Sequence, residues 1–222
     1  MTERANVFLD SRIYRICLFV YLLLVIQVCL VVALLPSAVA VFFLVPDPSN
    51  APLFAVAVIP AGPALVAGTY ATGRLLREHE QTPVRDFVRG LRLSWADILK
   101  LWVPAVLVLG LVSLNLGVTA TGPARAVVLV VLLLAGLWLA NVLVITARFS
   151  FRARDTARLA AYYLLARWRC ALSTLTLLVL AALVLVVTSD WVLLLLLSPA
   201  LHLLARVTQP LVADVEARFT KK

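Results

Sequence analysis

"VAVIPAGPALVAGTYATGRLLREHE" runs from Val56 to Glu80. Its portion from Val56 to Gly73 carries no charge, yet Pro60, Gly62 and Pro63 interrupt it. Arg74 then opens a charged run with no turn signal before it. An uncharged run of this length reads as a membrane span. Each proline removes an N–H donor and clashes with the preceding turn, so the span is expected to be broken. A half-helix from Pro63 to Arg74 would rise about 17 Å, roughly half of a ~30 Å hydrocarbon core. Two readings of Pro60, Gly62, Pro63, Ala64 and Gly68 follow. In one, the half-helix aims its positive N-terminus at an anionic group near the midplane. In the other, the segment is a kinked helix built for close packing, with Ala64, Gly68 and Thr72 forming a small-residue face.

The packing reading is preferred because intramembrane polar groups are few. Gln27, Asn115, Asn141 and His202 are read as interhelical hydrogen-bonding residues. No Asp, Glu, Lys or Arg lies well inside a span, which argues against ion-coupled transport.

Composition agrees with a membrane protein. Of 222 residues, 64% are hydrophobic and 14% charged, whereas soluble chains are about 45–50% apolar. Uncharged runs predict six transmembrane helices, at about 16–38, 53–73, 101–121, 125–147, 170–188 and 191–205. They form one integral membrane domain over 1–222. With the N-terminus inside, nineteen of the twenty basic residues fall on one side and only Arg125 on the other. By the positive-inside rule both termini are cytoplasmic and the chain is multi-pass. The net charge of +9 is thereby assigned to inner loops, and nucleic acid is not an expected partner. The first span is expected to stay as a signal anchor. The short outer turns at 46–52, 119–125 and 188–190 leave no room for an extracellular catalytic or receptor domain.

The inner loops have their own periodicity. "VRDFVRGLRLSWADILK" (84–100) places Val84, Phe87, Val88, Leu91, Trp95, Ile98 and Leu99 on one helical face. Arg85, Arg89, Arg92 and Lys100 lie elsewhere around it. This predicts a cytoplasmic amphipathic helix at the headgroup level, with Phe87, Arg89, Leu91, Arg92 and Trp95 as a candidate interfacial or partner face, joined by Trp168. "ARLAAYYLLARWRC" (157–170) carries a looser stripe of Leu159, Tyr162, Tyr163, Ala166 and Cys170. "NVFLDSRIYRIC" (6–17) reads as a third, shorter version. The chain thus divides into three helical-hairpin units at about 1–73, 74–147 and 148–206, each an inner helix followed by a span out and a span back.

No catalytic set emerges. Glu78, His79, Glu80, Asp86, Asp97 and Asp155 lie among arginines and are read as surface charge balance. Cys17, Cys29 and Cys170 lack ligand spacing and are read as reduced. No metal, cofactor or enzyme activity is expected.

The stretches "GPALVAGTYATGRLLREHEQTPVRDFVRGLRLSWADILKLWVPAVL" (62–107), "AAYYLLARWRCALSTLTLLVLAALVLV" (160–186) and "SPALHLLARVTQPLVADVEARF" (198–219) resemble the YesL-like family of small bacterial membrane proteins, in order and spacing along most of the chain. The resemblance implies a bacterial plasma-membrane location and an accessory role in carbohydrate uptake. ABC transporter permease subunits would be the partners, beside the lipid bilayer. A carrier or channel acting alone is the alternative.

Overall fold

The computed structural model describes residues 12–45, 47, 50–77, 82–118, 123–187 and 194–219. Among them the chain forms nine helices and no strand. These are α1 (Arg12–Phe42), α2 (Ala51–Ala57), α3 (Ala61–Leu75), α4 (Pro83–Val118), α5 (Pro123–Arg148), α6 (Ala153–Ala166), α7 (Trp168–Val187), α8 (Leu197–Val207) and α9 (Gln209–Phe219). The all-α expectation holds.

Three segments are long and apolar enough to cross a membrane: Arg12–Phe42, Pro83–Ser113 and Arg125–Arg148. A fourth candidate is the pair α6 and α7, bent by 99°. This is fewer than the six expected, for two local reasons. The expected span at 53–73 is divided into α2 and α3 by the turn at 58–60, which holds Pro60, while Pro63 lies in the first turn of α3. The expected span at 191–205 contributes an α8 of only 11 residues, with 191–193 outside the described residues. Also outside them are 119–122, 188–190, the first half of "NVFLDSRIYRIC" and residues 78–81.

The inner helices depart from expectation in opposite ways. The segment 84–100 is not a separate interfacial helix. It is the first half of the 36-residue α4, which runs on through Pro104. Nothing between Trp95 and Leu101 breaks helix geometry, and Lys100 bonds Asp97 one turn back at 2.8 Å. The segment 153–166, in contrast, is a distinct helix set at a steep angle to α7. The second and third of the proposed hairpin units therefore differ in structure where the sequence suggested one pattern.

Helix α3 organises the bundle. Ten of its fifteen residues are buried, and it packs against α1, α4, α5 and α8. The small face anticipated from Ala64, Gly68 and Thr72 is part of a wider buried surface, since Ala61, Gly62, Val66, Ala67, Ala71 and Gly73 are buried too, while Pro63, Tyr70 and Arg74 mark a less buried side. Its hydroxyls spend their hydrogen bonds within the helix, Thr69 on the Leu65 carbonyl and Thr72 on that of Gly68, each at 2.8 Å. With small residues over most of its packed surface, α3 lets neighbours reach its backbone. Around this centre α1, α4, α5 and α7 expose apolar faces, such as Val28 and Val32, Val108 and Leu111, Val130 and Leu134, and Leu180 and Leu183. Such a continuous apolar exterior suits lipid contact rather than water.

The closeness of approach can be tested at two glycines. A Cβ on Gly62 would lie 2.6 Å from the Trp102 ring, a stiff neighbour. On Gly68 it would lie 2.7 Å from Leu201 Cδ1 and 2.8 Å from Leu30 Cδ2, both flexible tips. Gly62→Ala is expected to destabilise by about 1–3 kcal/mol through overpacking. Gly68→Ala should cost less, because the leucine tips can shift and Ala favours helix by about 1 kcal/mol over Gly. Thermal unfolding of both variants in detergent gives the order, and equal or reversed losses would contradict it.

Candidate functional site

The break at 58–60 is closed by hydrogen bonds. The N–H of Ala61 donates to the Val58 carbonyl at 3.0 Å, and that of Gly62 to Ile59 at 3.3 Å. Pro63 has no N–H to offer. The α3 helix begins at Ala61, two residues before the expected Pro63. Trp102 of α4 is buried across the break, its indole Nε1 donating to the Val58 carbonyl at 3.1 Å while its ring covers Gly62. Ala64 is buried, and Gly68 meets Leu30 and Leu201.

The anticipated face on α4 is split by the structure. Phe87 is buried in the core and Leu91 packs against the same cluster. Asp86, Gly90, Ser94, Ile98 and Trp102 continue that inward face. Val84, Val88 and Trp95 point away from the bundle, Trp95 with 56% of its surface exposed. Arg85, Arg89 and Arg92 are exposed alongside them. The helix thus has three sectors, packed, apolar and basic, where the sequence suggested two. Between α1 and the first turns of α4 lies an open groove of about 1130 Å³, flanked by these arginines. Trp168 belongs to α7, is also exposed, and lies beneath the Arg169 guanidinium, 5.7 Å from the ring centroid.

The polar residues bond backbone of other segments, Gln27 at a helix start and Asn141 along the side of a helix. Gln27 of α1 donates through Nε2 to the Leu194 carbonyl and accepts the Ser198 N–H on Oε1 at 2.8 Å. It thereby satisfies the start of α8, whose first N–H groups have no partners within the helix. Asn141 and Trp138, three residues apart on α5, donate to the Ala160 and Ala157 carbonyls of α6 at 3.3 and 3.1 Å. His202 is buried with its ring edge-on to Phe19. The side chain of Asn115 lies outside the described residues.

The acids considered for catalysis are engaged with cations or helix ends. Arg74 donates to Asp86 at 2.9 Å, and Lys100 to Asp97 at 2.8 Å. Asp155 stands in the first turn of α6, where a negative charge complements the helix dipole. Glu78, His79 and Glu80 lie outside the described residues. Among the described residues no His, Cys, Asp or Glu group has metal-binding geometry.

Sequence reasoning missed the most elaborate polar cluster. The C-terminal segment, for which the sequence suggested no element, forms helix α9, docked through buried Leu211, Val212 and Val215. Their i, i+1, i+4 spacing in "QPLVADVEARF" is the signal that marks such a helix. Asp214 accepts from Arg167 Nη2 at 2.9 Å and from the Tyr163 hydroxyl at 3.1 Å, with Arg218 Nε at 3.3 Å. Of the stripe expected on α6, Tyr163 and Cys170 are buried. Tyr162 and Ala166 are exposed, and Thr156 and Ala160 complete the inward face. The Arg167 hydrogen bond holds the Asp214 carboxyl below its usual range, with Tyr163 and Arg218 assisting. Burial pushes the Tyr163 hydroxyl up to about 12, reinforced by its bond to Asp214.

These shifts set a pH window for α9 docking. A depressed carboxyl stabilises the docked state above its unfolded value of about 3.9, and that contribution is lost as pH falls through the lower, docked value. The raised phenol contributes fully below about 10 and loses its contribution as pH climbs towards 12. Protection of the α9 amides from hydrogen exchange, corrected for intrinsic rate, should be level near neutrality and fall at both extremes. Asp214→Asn should lower it near neutrality and flatten the acid limb. An unaltered acid limb in that variant would show that the cluster does not hold the helix.

No protein-family model, curated protein or solved structure matches the chain.

Proposed function

We propose that this chain is a YesL-like multi-pass protein of the bacterial plasma membrane, an accessory to carbohydrate uptake that works by binding ABC transporter permease subunits. It crosses the bilayer six times with both ends in the cytoplasm. The broken α2–α3 segment supplies the second crossing, and α8 with the residues before it the sixth. No catalytic step or cofactor belongs to this reading.

The observation that carries it is the filled centre. A carrier needs a midplane site at its broken helices. Here the first N–H groups after the break are engaged, Trp102 covers Gly62, and α3 is buried against four neighbours. The basic and apolar sectors of α4, by contrast, face outward and offer Arg89, Arg92 and Trp95 to a partner. The resemblance to the YesL-like family supports the choice of partner class. The carrier alternative keeps one favourable observation, the break itself.

Topology is tested with single cysteines in a chain lacking Cys17, Cys29 and Cys170. Arg125→Cys should react with an impermeant maleimide from outside in intact cells. Ser150→Cys should react only after the membrane is opened, and the opposite pattern at either site would refute the orientation. Function is tested by reconstituting the protein alone and together with a carbohydrate ABC permease from the same cell. The lone protein should move no sugar, and Trp95→Asp should reduce recovery of the permease complex at least about tenfold, as expected for loss of an interfacial aromatic anchor. Saturable flux by the lone protein, abolished by Pro60→Ala, would establish the carrier instead.

A further inference from the structure

The groove between α1 and α4 sets opposite chemistries side by side. Its α1 wall is apolar, formed by Leu18, Tyr21, Leu22 and Val25. Its α4 rim carries Arg85, Arg89 and Arg92. Spacing of four and three residues puts these guanidiniums on one side of the helix. All three are exposed, and none forms an ion pair among the described residues. Elsewhere Arg74 finds Asp86 and Arg167 finds Asp214, while Arg152, Arg154 and Arg158 are exposed like the rim but do not line this apolar-walled groove. The rim is therefore a concentration of positive charge with no counterpart among the described residues, beside a wall that water solvates poorly.

The geometry points to this groove as a binding site for one anionic phospholipid of the surrounding leaflet. Its phosphate would sit on the arginine rim and an acyl chain along the α1 wall. A guanidinium presents parallel N–H donors that match phosphate oxygens. A small soluble anion would satisfy the rim and leave the wall wet. A neutral chain would cover the wall and leave three charges desolvated. A phospholipid meets both requirements in one molecule. The volume of about 1130 Å³ exceeds that of most small-molecule sites, roughly 300–1,000 Å³, as a headgroup with part of a chain requires. This inference needs the chain to be embedded in a bilayer. It does not need the accessory role, so lone-protein flux would leave it standing.

The test is native mass spectrometry of the full-length protein in detergent, titrated with phosphatidylglycerol or with phosphatidylcholine of the same chains. One phosphatidylglycerol should be retained at least about tenfold more strongly, given about 1 kcal/mol per basic residue near an anionic lipid surface. The triple variant Arg85→Gln, Arg89→Gln, Arg92→Gln should lose that preference. The charge-matched control Arg152→Gln, Arg154→Gln, Arg158→Gln should keep it. Tyr21→Ser should weaken retention of both lipids. Equal retention of the two lipids by the unmodified protein would overturn the proposal. So would equal losses in the two triple variants, which would mean diffuse attraction, or displacement of the lipid by millimolar glycerol phosphate, which would mean a headgroup site alone. If the rim variant melts at lower temperature, Arg89→Gln alone is read instead. A fall of about threefold or more in that variant supports the site, and no change refutes it.

Discussion

Close approach to the backbone of α3 is the constraint from which the rest of the bundle follows. In lipid, apolar side chains gain little by leaving one hydrocarbon for another, so helices associate through packing and hydrogen bonds. A helix of Ala, Gly and Thr maximises both. Each α3 glycine receives a large neighbouring group: Trp102 at Gly62, Leu30 and Leu201 at Gly68, and the Arg148 guanidinium at Gly73. The relation is returned once, where Tyr70 of α3 lies against Gly90 of α4. Arg148 also donates to the Gly73 carbonyl at 3.3 Å, placing a cation at the helix end where the dipole favours one. A bulkier α3 would push four helices outward together, which is why its composition differs so sharply from the leucine-rich spans around it.

A second constraint arises because the chain breaks helix at several points. Unsatisfied backbone groups in a bilayer cost several kcal/mol each, so every break needs a partner from elsewhere. Two are stitched by side chains of a neighbouring helix. Trp102 adds a second donor at the Val58 carbonyl, and Gln27 serves Leu194 and Ser198. Trp138 and Asn141 do a different job, tying α5 to the Ala157 and Ala160 carbonyls along the side of α6. The first two help a membrane protein with so few polar residues tolerate its helix breaks.

That pattern marks the boundary of what the sequence reveals. Uncharged runs predict apolar helices, and Pro60 and Pro63 predict a broken one, because both signals are local. Gln27 and Asn141 could be recognised as hydrogen-bonding residues from their isolation in apolar surroundings. Their partners, Leu194 and Ala160, are backbone carbonyls that carry no residue-type signal, and these pairings needed the fold. The face on α4 shows a subtler limit. Seven apolar residues between Val84 and Leu99 share a broad arc, and periodicity cannot say which part of it meets protein and which meets lipid. Only the arrival of α3 decides, drawing Phe87, Leu91 and Ile98 inward and leaving Val84, Val88 and Trp95 outside. Asp214 was hidden for another reason. An acid in a basic tail looks like charge balance until Val212 and Val215 dock the helix that carries it.

The contrast between α4 and the α6–α7 pair follows from where each charge finds its partner. Both segments pass from a basic amphipathic stretch into an apolar one, and neither has a glycine or proline at the junction. In α4 the basic residue nearest the junction is Lys100, which pairs with Asp97 on its own helix. That contact is made without leaving helical geometry, and the helix continues unbroken. At the other junction Arg167 pairs with Asp214, forty-seven positions away on α9. Its backbone takes φ −122° and ψ 61°, outside the helical region. The ring of Tyr163, one turn earlier, delivers its hydroxyl to the same carboxylate. The bend of 99° thus accompanies a charge held by another helix, and the unbroken passage a charge satisfied locally. Similar stretches of sequence adopt different paths, with a long-range acid engaged at one junction and a short-range acid at the other.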